Sequence, residues 1–329
     1  MKVLLIGGTG NISTATVREL KNMGADVTVF NRGTYKTEGV NQIVGDRYDT
    51  RDFISKVSPY RFDCVIDMIC YEPKDAQALA TAFAGKTEQI IFCSTVNTFA
   101  APAPTYPITE NTPVCTDPEY AYAHGKELCE RLLTKAADNG AFKLTIIQPG
   151  ATGNDTSLPV SFLGDARGLI YRMLNRKPIL LFSDGATLWT MAHRDDVGKA
   201  IAKAVCNPLT YGERYILAAE EAMTWERYYE IAANAFGAEP PKFVYIPWET
   251  LVKLAPDDCS WVKWNFRFNN IFSCEKAKRD LGFSVTVSYE EIMRRAAAYH
   301  NKAGDISKEF EHPKYDGIVN GYLRSALTE

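Results

Sequence analysis

The chain has 329 residues, 46% of them hydrophobic and 23% charged, which are ordinary values for a globular protein. This length is sufficient for one large α/β domain, and we expect a smaller companion domain beside it. The formal net charge is −3, and no block of Lys or Arg stands out. Because nucleic-acid binding needs a positive surface, we expect no nucleic acid among the partners.

The eight cysteines include no C-x-x-C pair, and several lie within apolar runs. We interpret them as reduced core residues, which predicts a cytoplasmic protein without disulfides and without a metal site. The apolar start at residues 3–6 is too short for a signal peptide, and no later segment is apolar enough for a membrane span. We therefore expect no membrane association.

The start of the chain predicts a strand, a glycine turn and a helix. Residues 2–6 form the apolar run of a strand buried on both faces of a parallel sheet, and apolar residues at helical spacing follow the glycines. Gly7 permits a tight turn, and Gly10 lets a pyrophosphate approach the backbone. Ser13 stands where the usual fingerprint has a third glycine. This context predicts a dinucleotide phosphate site, and a turn that binds nothing is the alternative.

The end of the second predicted strand, residues 26–30, carries the signal for cofactor specificity. Dinucleotide-binding proteins place an acid there for the ribose 2′-hydroxyl, or an Arg nearby for a 2′-phosphate. Here Asn31 and Arg32 follow the strand, and no acid. We therefore predict NADP as the cofactor, with NAD as the second choice; a solvated loop residue is the other interpretation of Arg32.

Two hydroxyl side chains follow the fifth predicted strand, residues 88–93. They are Ser94 and Thr95, and open α/β sheets bind their ligands at the carboxyl ends of strands. The intervening elements are predicted as strands at residues 42–45 and 63–67 and as helices at residues 50–57 and from Pro73 on.

A long helix ending near residue 139 is predicted to carry Tyr122 and Lys126 on one face, since they are four residues apart. A free tyrosine is only about one part in a thousand ionised at pH 7. A neighbouring ammonium that lowers its pKa makes the phenol a usable acid and base. As a bare pair the two residues also fit an exposed helix face, but their place after Ser94 and Thr95 favours a catalytic role.

These pieces resemble the short-chain dehydrogenase/reductase superfamily, which shares the glycine turn, the hydroxyls after the fifth strand and the Tyr-x-x-x-Lys helix. Gln148-Pro149-Gly150 is similar to the Arg-Pro-Gly turn of its extended branch, the NAD(P)-dependent epimerase/dehydratase group. Residues 193–197 resemble the His-Val-Asp-Asp-Val motif of that branch, and residues 273–283 resemble its closing segment. The resemblance covers roughly residues 1–300.

The resemblance implies an α/β fold, a doubly wound parallel Rossmann sheet with a smaller α/β substrate-binding lobe. The expected NAD(P)-binding domain comprises residues 1–152 joined by 194–218, and the expected lobe comprises 153–193 and 219–300. The tail at residues 301–329 has no counterpart, so it packs on the lobe, contacts a second subunit or stays mobile. A homodimer is compatible with this organisation.

The resemblance also implies site residues. Tyr122 exchanges a proton with a substrate hydroxyl or carbonyl, Lys126 lowers the Tyr122 pKa and holds the nicotinamide ribose, and Thr95, with Ser94 next, binds the substrate. The residues assigned to the cofactor are Gly7, Gly10, Asn11, Ile12, Asn31, Arg32, Asp46 and Lys126. The implied function is an NAD(P)-dependent oxidoreductase or epimerase acting on a sugar-like small molecule.

Two alternatives concern function and substrate. A non-catalytic protein on the same fold, either a dinucleotide sensor or an RNA-associated relative of the chloroplast stem-loop-binding type, is the rival function. A sugar 4,6-dehydratase is disfavoured because Val96 and Asn97 replace the Asp-Glu pair that follows the catalytic Thr in that subgroup. Trp189 stands where nucleotide-sugar enzymes place a pyrophosphate-binding Arg, which predicts a substrate other than a nucleotide-diphosphate sugar unless Trp189 merely packs.

Overall fold

The computed structural model describes residues 1–34 and 38–326. The chain divides into two compact units. Unit 1 comprises Met1–Thr152, Ala192–Ala219 and Phe272–Thr286. Unit 2 comprises Gly153–Met191, Glu220–Ile271 and the chain from Val287 on.

The strands of the described residues are short, and most are strongly apolar. They are β1 (Lys2–Ile6), β2 (Asp26–Asn31), β3 (Asn41–Val44), β4 (Cys64–Asp67), β5 (Gln89–Cys93), β6 (Lys143–Pro149), β7 (Thr152–Gly153), β8 (Ile179–Phe182), β9 (Leu188–Trp189), β10 (Ala192–His193), β11 (Arg214–Leu217), β12 (Met223–Thr224) and β13 (Phe243–Ile246).

The α-helices of the same residues alternate with these strands. They are α1 (Asn11–Asn22), α2 (Thr50–Val57), α3 (Pro73–Phe83), α4 (Ala121–Asp138), α5 (Ala166–Leu174), α6 (Arg194–Ala204), α7 (Trp225–Ala235), α8 (Trp248–Leu254), α9 (Glu275–Leu281), α10 (Tyr289–Ala303) and α11 (Tyr315–Ala326). Short 3₁₀ turns also occur, and Val262–Phe266 forms one π-helical turn.

Unit 1 is built on a seven-stranded parallel sheet in the order β11-β6-β5-β4-β1-β2-β3. Helices α1, α6 and α9 contribute to the core on one face, and α2, α3 and α4 to the core on the other. The strand order reverses at β1, so the crevice at the carboxyl ends of β1 and β4 is the expected ligand position. The predicted doubly wound parallel sheet is confirmed.

The predicted elements of unit 1 agree with the structure to within a few residues. Helix α2 has the predicted bounds, and Pro73 opens α3 at a position that needs no N–H partner. The unit boundary differs from the expected one, because Phe272–Thr286 belongs to unit 1 and the sequence analysis placed it in the lobe. The physical reason is that Ala277 and Leu281 of α9 join the core beneath β11 and α6.

Unit 2 has a core of aromatic side chains around Trp225, which is fully buried. Ring centroids of Phe162, Trp189 and Phe266 lie 4.8, 4.9 and 5.1 Å from that of Trp225. Two small strand pairs flank this core, β8 with β13 in parallel and β9 with β12 antiparallel. Dense aromatic packing of this kind stabilises a unit that has no large sheet.

The chain beyond α10 packs on the rest of unit 2, one of the three outcomes expected for residues 301–329, whose last three lie outside the described residues. Arg172 of α5 is 1% exposed and pairs with Glu311 (2.9 Å) and Asp316 (2.7 Å). The hydroxyl of Tyr315 accepts a hydrogen bond from Leu180 N (2.9 Å). Because a buried guanidinium needs its carboxylates, these contacts tie α11 to the unit.

Candidate functional site

The glycine turn after β1 borders a cleft of about 420 Å³ at the carboxyl end of the sheet. Gly7 has a φ of +84°, and a Cβ there would lie 2.8 Å from the Ile69 side chain, so the turn requires glycine. Gly10 caps α1, whose first backbone N–H groups lie at this end of the helix. The lining residues are Gly7, Thr9, Gly10, Phe30, Asn31, Arg32, Thr34, Gly45, Asp46, Arg47, Tyr48 and Ile69.

Five of the residues predicted to bind the cofactor line this cleft, namely Gly7, Gly10, Asn31, Arg32 and Asp46. The other three lie outside its lining: Asn11 donates from Nδ2 to Thr152 O (2.9 Å), Ile12 packs on the core, and Lys126 lies beneath β5. One cleft therefore brings together the residues predicted for the phosphate and the ribose, and the cofactor contacts of Asn11, Ile12 and Lys126 stay predictions.

Polar groups shape the ribose end of the cleft. Asn31 Oδ1 accepts hydrogen bonds from Gly33 N (2.9 Å) and Gln42 Nε2 (2.7 Å), which fixes the amide at the end of β2. Arg32 is exposed and lines the cleft, and a guanidinium is well suited to bind an anion. Asp46 Oδ1 accepts from Tyr48 N (2.9 Å), so that side chain is turned toward its own loop.

The sequence analysis missed a buried ion pair in the cleft wall. Arg47 is 2% exposed and donates from Nε (3.1 Å) and Nη2 (2.8 Å) to Asp67 Oδ2, and Nη2 also donates to Asp75 O (2.8 Å). Its guanidinium lies 4.2 Å from the Phe53 ring centroid. An acid at the end of the otherwise apolar β4 was the available signal, because a buried carboxylate requires a partner.

Tyr122 and Thr95 meet at the carboxyl end of β5. Tyr122 lies in the first turn of α4, and Thr95 is buried at the start of a 3₁₀ turn, where its Oγ1 accepts a hydrogen bond from Asn97 N (3.3 Å). Burial raises the pKa of Tyr122 above its ordinary value, and a hydrogen bond with the Thr95 side chain opposes that rise. The arrangement pairs a protonated phenol with a hydroxyl, as an acid/base site for a substrate oxygen requires.

Lys126 is directed to the end of β5, and the lowering of the Tyr122 pKa by Lys126 stays a prediction. Its ammonium is 2% exposed and donates to Cys93 O (2.7 Å), with the Tyr71 ring centroid 4.4 Å away. The helix places Tyr122 and Lys126 on one face, but the hydrogen bond to Cys93 O directs the Lys126 ammonium to the end of β5.

Ser94 lies in a buried polar network and not against Tyr122. Its hydroxyl donates to Glu130, which also accepts from Thr98 Oγ1 (3.3 Å), Gln148 Nε2 (3.3 Å) and Arg214 Nη1 (2.8 Å). This network fixes the end of β5 against α4. Of the two predicted hydroxyls, Thr95 is the one that the fold brings to Tyr122.

Trp189 and His193 have packing roles. Trp189 is 6% exposed and stacks on Trp225, so it belongs to the core of unit 2, in agreement with the packing alternative. His193 Nδ1 accepts a hydrogen bond from Asp195 N (3.3 Å) and caps α6, which is a structural role. The position nevertheless holds no guanidinium that could bind a pyrophosphate.

The part of the chain that the structure describes contains neither a candidate metal site nor a candidate membrane-spanning helix. In that part no group of three or more His, Cys, Asp or Glu side chains has the geometry of a metal site. No helix there has the length and apolar character needed to cross a membrane.

Residues 3–218 match the NAD dependent epimerase/dehydratase family. The 2′-dehydrokanamycin reductase of Streptomyces kanamyceticus is 28% identical over 297 residues, 88% of this chain and 80% of that protein. The chloroplast stem-loop binding protein of 41 kDa b of Arabidopsis thaliana is 26% identical over 344 residues, 98% of this chain and 85% of that protein.

A solved structure of UDP-glucose 4-epimerase from Thermotoga maritima with UDP-glucose has the same fold, with a TM-score of 0.72 at 19% identity over 93% of this chain and 100% of that one. The family match covers more than half of the chain and includes the glycine turn, Thr95, Tyr122 and Lys126. The chain therefore belongs to the NAD dependent epimerase/dehydratase family.

Proposed function

We propose that the protein is an NAD(P)-dependent oxidoreductase or epimerase that acts on a hydroxyl or carbonyl group of a sugar-like small molecule. The observation that carries the proposal is that the fold brings the Tyr122 and Thr95 side chains together at the carboxyl end of β5. Lys126 follows one helical turn later, and the glycine-turn cleft belongs to the same unit. The family supports the general class of reaction.

In the proposed mechanism, the Tyr122 hydroxyl exchanges a proton with the reacting oxygen of the substrate. Thr95 donates a hydrogen bond to that oxygen and orients it toward Tyr122. The raised Tyr122 pKa keeps the phenol protonated, which suits the direction in which a carbonyl is reduced. Lys126 carries the positive charge of the site and is assigned to the nicotinamide ribose by the family resemblance.

The residues of the cleft fit a dinucleotide. Gly7 and Gly10 leave the backbone open where a Cβ would meet Ile69 or Ser13, and Arg32 and Asp46 line the ribose end. The nicotinamide cofactor, when bound, supplies or accepts the hydride. We propose NADP as the preferred form because Arg32 replaces the acid that reads a free 2′-hydroxyl.

For the substrate, we propose a sugar-like molecule without a nucleotide diphosphate. The support is the relative from Streptomyces, which is named for reducing 2′-dehydrokanamycin. The Thermotoga structure, which holds UDP-glucose, is the counter-example on the same fold.

A stem-loop-binding protein is the second candidate function, and the Arabidopsis relative is the observation that favours it. The net charge of −3 argues against it, since RNA binding depends on a positive surface. A mobility-shift titration with a stem-loop RNA separates the two: saturable binding together with no cofactor binding would replace the enzyme proposal.

The enzyme proposal is tested by turnover of purified protein with a panel of oxidised sugars and added NADPH or NADH, and with a panel of amino sugars and added NADP⁺ or NAD⁺. Tyr122→Phe removes the proposed proton carrier, so we expect turnover to fall by about 10²- to 10⁴-fold with cofactor affinity almost unchanged. Tyr60→Phe, at an exposed tyrosine of unit 1, is the matched control. Activity of Tyr122→Phe within a few-fold of the parent would show that another group carries the proton.

A further inference from the structure

The loop after β4 presents an aromatic side chain that touches both residues of the proposed pair. The Tyr71 ring centroid lies 4.4 Å from the Lys126 ammonium and 6.3 Å from the centroid of the Tyr122 ring. Tyr71 itself is 38% exposed, so one side of its ring covers Lys126 while another part remains open. Tyr71 belongs to none of the sequence motifs described above, and it is not among the residues that line the glycine-turn cleft.

The backbone of this loop is held in place from two sides. Tyr71 N and Glu72 N both donate to Asp75 Oδ2 (3.1 Å each) at the start of α3. On the other side, a Cβ on Gly125 would lie 2.5 Å from Tyr71 O, so α4 approaches the loop this closely only because residue 125 is glycine. The Tyr71 ring is therefore attached to a fixed support directly beside Lys126.

The charge of Lys126 has few other partners. Its ammonium donates to Cys93 O (2.7 Å), the Phe92 ring centroid is 5.1 Å away, and no carboxylate of the described residues forms an ion pair with it. An ammonium removed from water gains most from an aromatic face, because its hydration is lost. Burial raises the pKa of Tyr71 to about 12, so its ring stays neutral and remains a suitable partner.

We propose that Tyr71 is a positioning residue, whose ring holds the Lys126 ammonium at the end of β5 beside the Tyr122 site. The inference rests on the function proposed above for Tyr122 and Lys126. It implies that an aromatic ring is required at position 71, whereas the hydroxyl of Tyr71 is not.

The first test is a double-mutant cycle read by fluorescence titration with NADPH and NADH. We expect Tyr71→Phe to bind the reduced cofactor as the parent does, and Tyr71→Leu to bind it about 2- to 30-fold more weakly, the range of one cation–π contact. Because Tyr71 acts through Lys126, adding Tyr71→Leu to Lys126→Met should cause no further loss. Losses that add in the double variant, or a Tyr71→Phe as weak as Tyr71→Leu, would overturn the proposal.

The second test needs no cofactor and therefore separates this proposal from the proposed function. Acylation of Lys126 by acetic anhydride, followed by mass spectrometry of the peptide that contains it, should be faster in Tyr71→Leu than in the parent and unchanged in Tyr71→Phe. Tyr60→Leu, at an exposed tyrosine whose ring stacks on Phe62 at 6.2 Å, is the matched control. An unchanged rate in Tyr71→Leu contradicts the positioning role, whereas failure of the parent to bind either cofactor contradicts the proposed function alone.

Discussion

Arg32 lies at the rim of the cleft that Gly7 and Gly10 also line, and it follows the strand end where NAD-binding proteins carry an acid. A guanidinium there donates to a 2′-phosphate through charge-assisted hydrogen bonds worth about 1.5 to 3 kcal/mol. Arg32→Ala should therefore weaken NADPH binding roughly ten- to a hundredfold and leave NADH binding almost unchanged.

Calorimetric titration with both cofactors measures this difference, and Arg51→Ala, at an exposed arginine of α2 outside the cleft lining, is the control. Equal or tighter binding of NADH by the parent would contradict the NADP assignment.

The candidate site was predictable from sequence where a residue acts through its backbone or its position in the fold. The roles expected of Gly7 and Gly10 depend only on the turn after β1, and the role expected of Thr95 depends only on its position at the end of β5. Directions of long side chains were not predictable: helical spacing places Lys126 near Tyr122, but the carbonyl of Cys93 decides where the ammonium points. Tyr71 was missed because its neighbours come from a different element.

At the scale of elements, α1 and α6 show how closely two helices pack beneath the sheet of unit 1. A Cβ on Gly198 would lie 2.7 Å from Ala15 Cβ and 2.8 Å from Thr16 N, and neither atom belongs to a flexible side-chain end. Gly198→Ala should therefore destabilise the fold by about 1 to 3 kcal/mol through overpacking, although alanine favours helices.

Urea unfolding of the purified protein measures this change. Gly321→Ala in α11 is the matched control, since nothing lies within 4 Å of its Cβ position, and it should stabilise the helix by about 0.5 to 1 kcal/mol. If Gly198→Ala stabilises the protein as Gly321→Ala is expected to do, the higher helix propensity of alanine outweighs the packing cost at Gly198.

The strands and helices of unit 1 were predicted well because burial imposes a clear pattern of apolar residues on the sequence. The strands of the large sheet are covered on both faces, so they appear as short apolar runs, and α2 and α3 have a cap or a proline at their starts. Assignment of α9 to a unit was wrong for a physical reason: a helix of seven residues shows an apolar side but not which core that side joins. Its buried residues join the core of unit 1.

For the whole molecule, the family match ends at residue 218, so Glu220–Ile271 and the chain from Val287 on lie beyond it. These segments form most of unit 2. The general class of reaction can therefore be inferred from the matched part, whereas the family match does not extend to most of unit 2. Within the matched part, the position of Trp189 suggested a substrate contact, but its stacking on Trp225 makes it part of the core of unit 2.

Arg267 of unit 2 is a cation that could contact a pyrophosphate, and aromatic rings surround it. Its guanidinium lies 4.0 Å from the Trp248 ring centroid and 4.3 Å from that of Phe268, and Nε donates to Lys263 O (2.7 Å). Burial lowers the Arg267 pKa, and Glu249 only partly opposes this, so the group gains little from nearby acids. A single guanidinium should not bind a diphosphate tightly. Trp189 stands where nucleotide-sugar enzymes have a second arginine, so the paired charge-assisted hydrogen bonds of that arginine are missing.

We therefore expect no micromolar binding of UDP-glucose by calorimetry, in the presence or absence of saturating NADPH, and binding of an amino sugar or other bare sugar by the cofactor complex. Arg267→Ala is the diagnostic variant, and Arg227→Ala, at an exposed arginine of α7 in the same unit, is its control. Micromolar UDP-glucose binding that Arg267→Ala weakens and Arg227→Ala does not would return the protein to the nucleotide-sugar enzymes, with Arg267 as their anion-binding group.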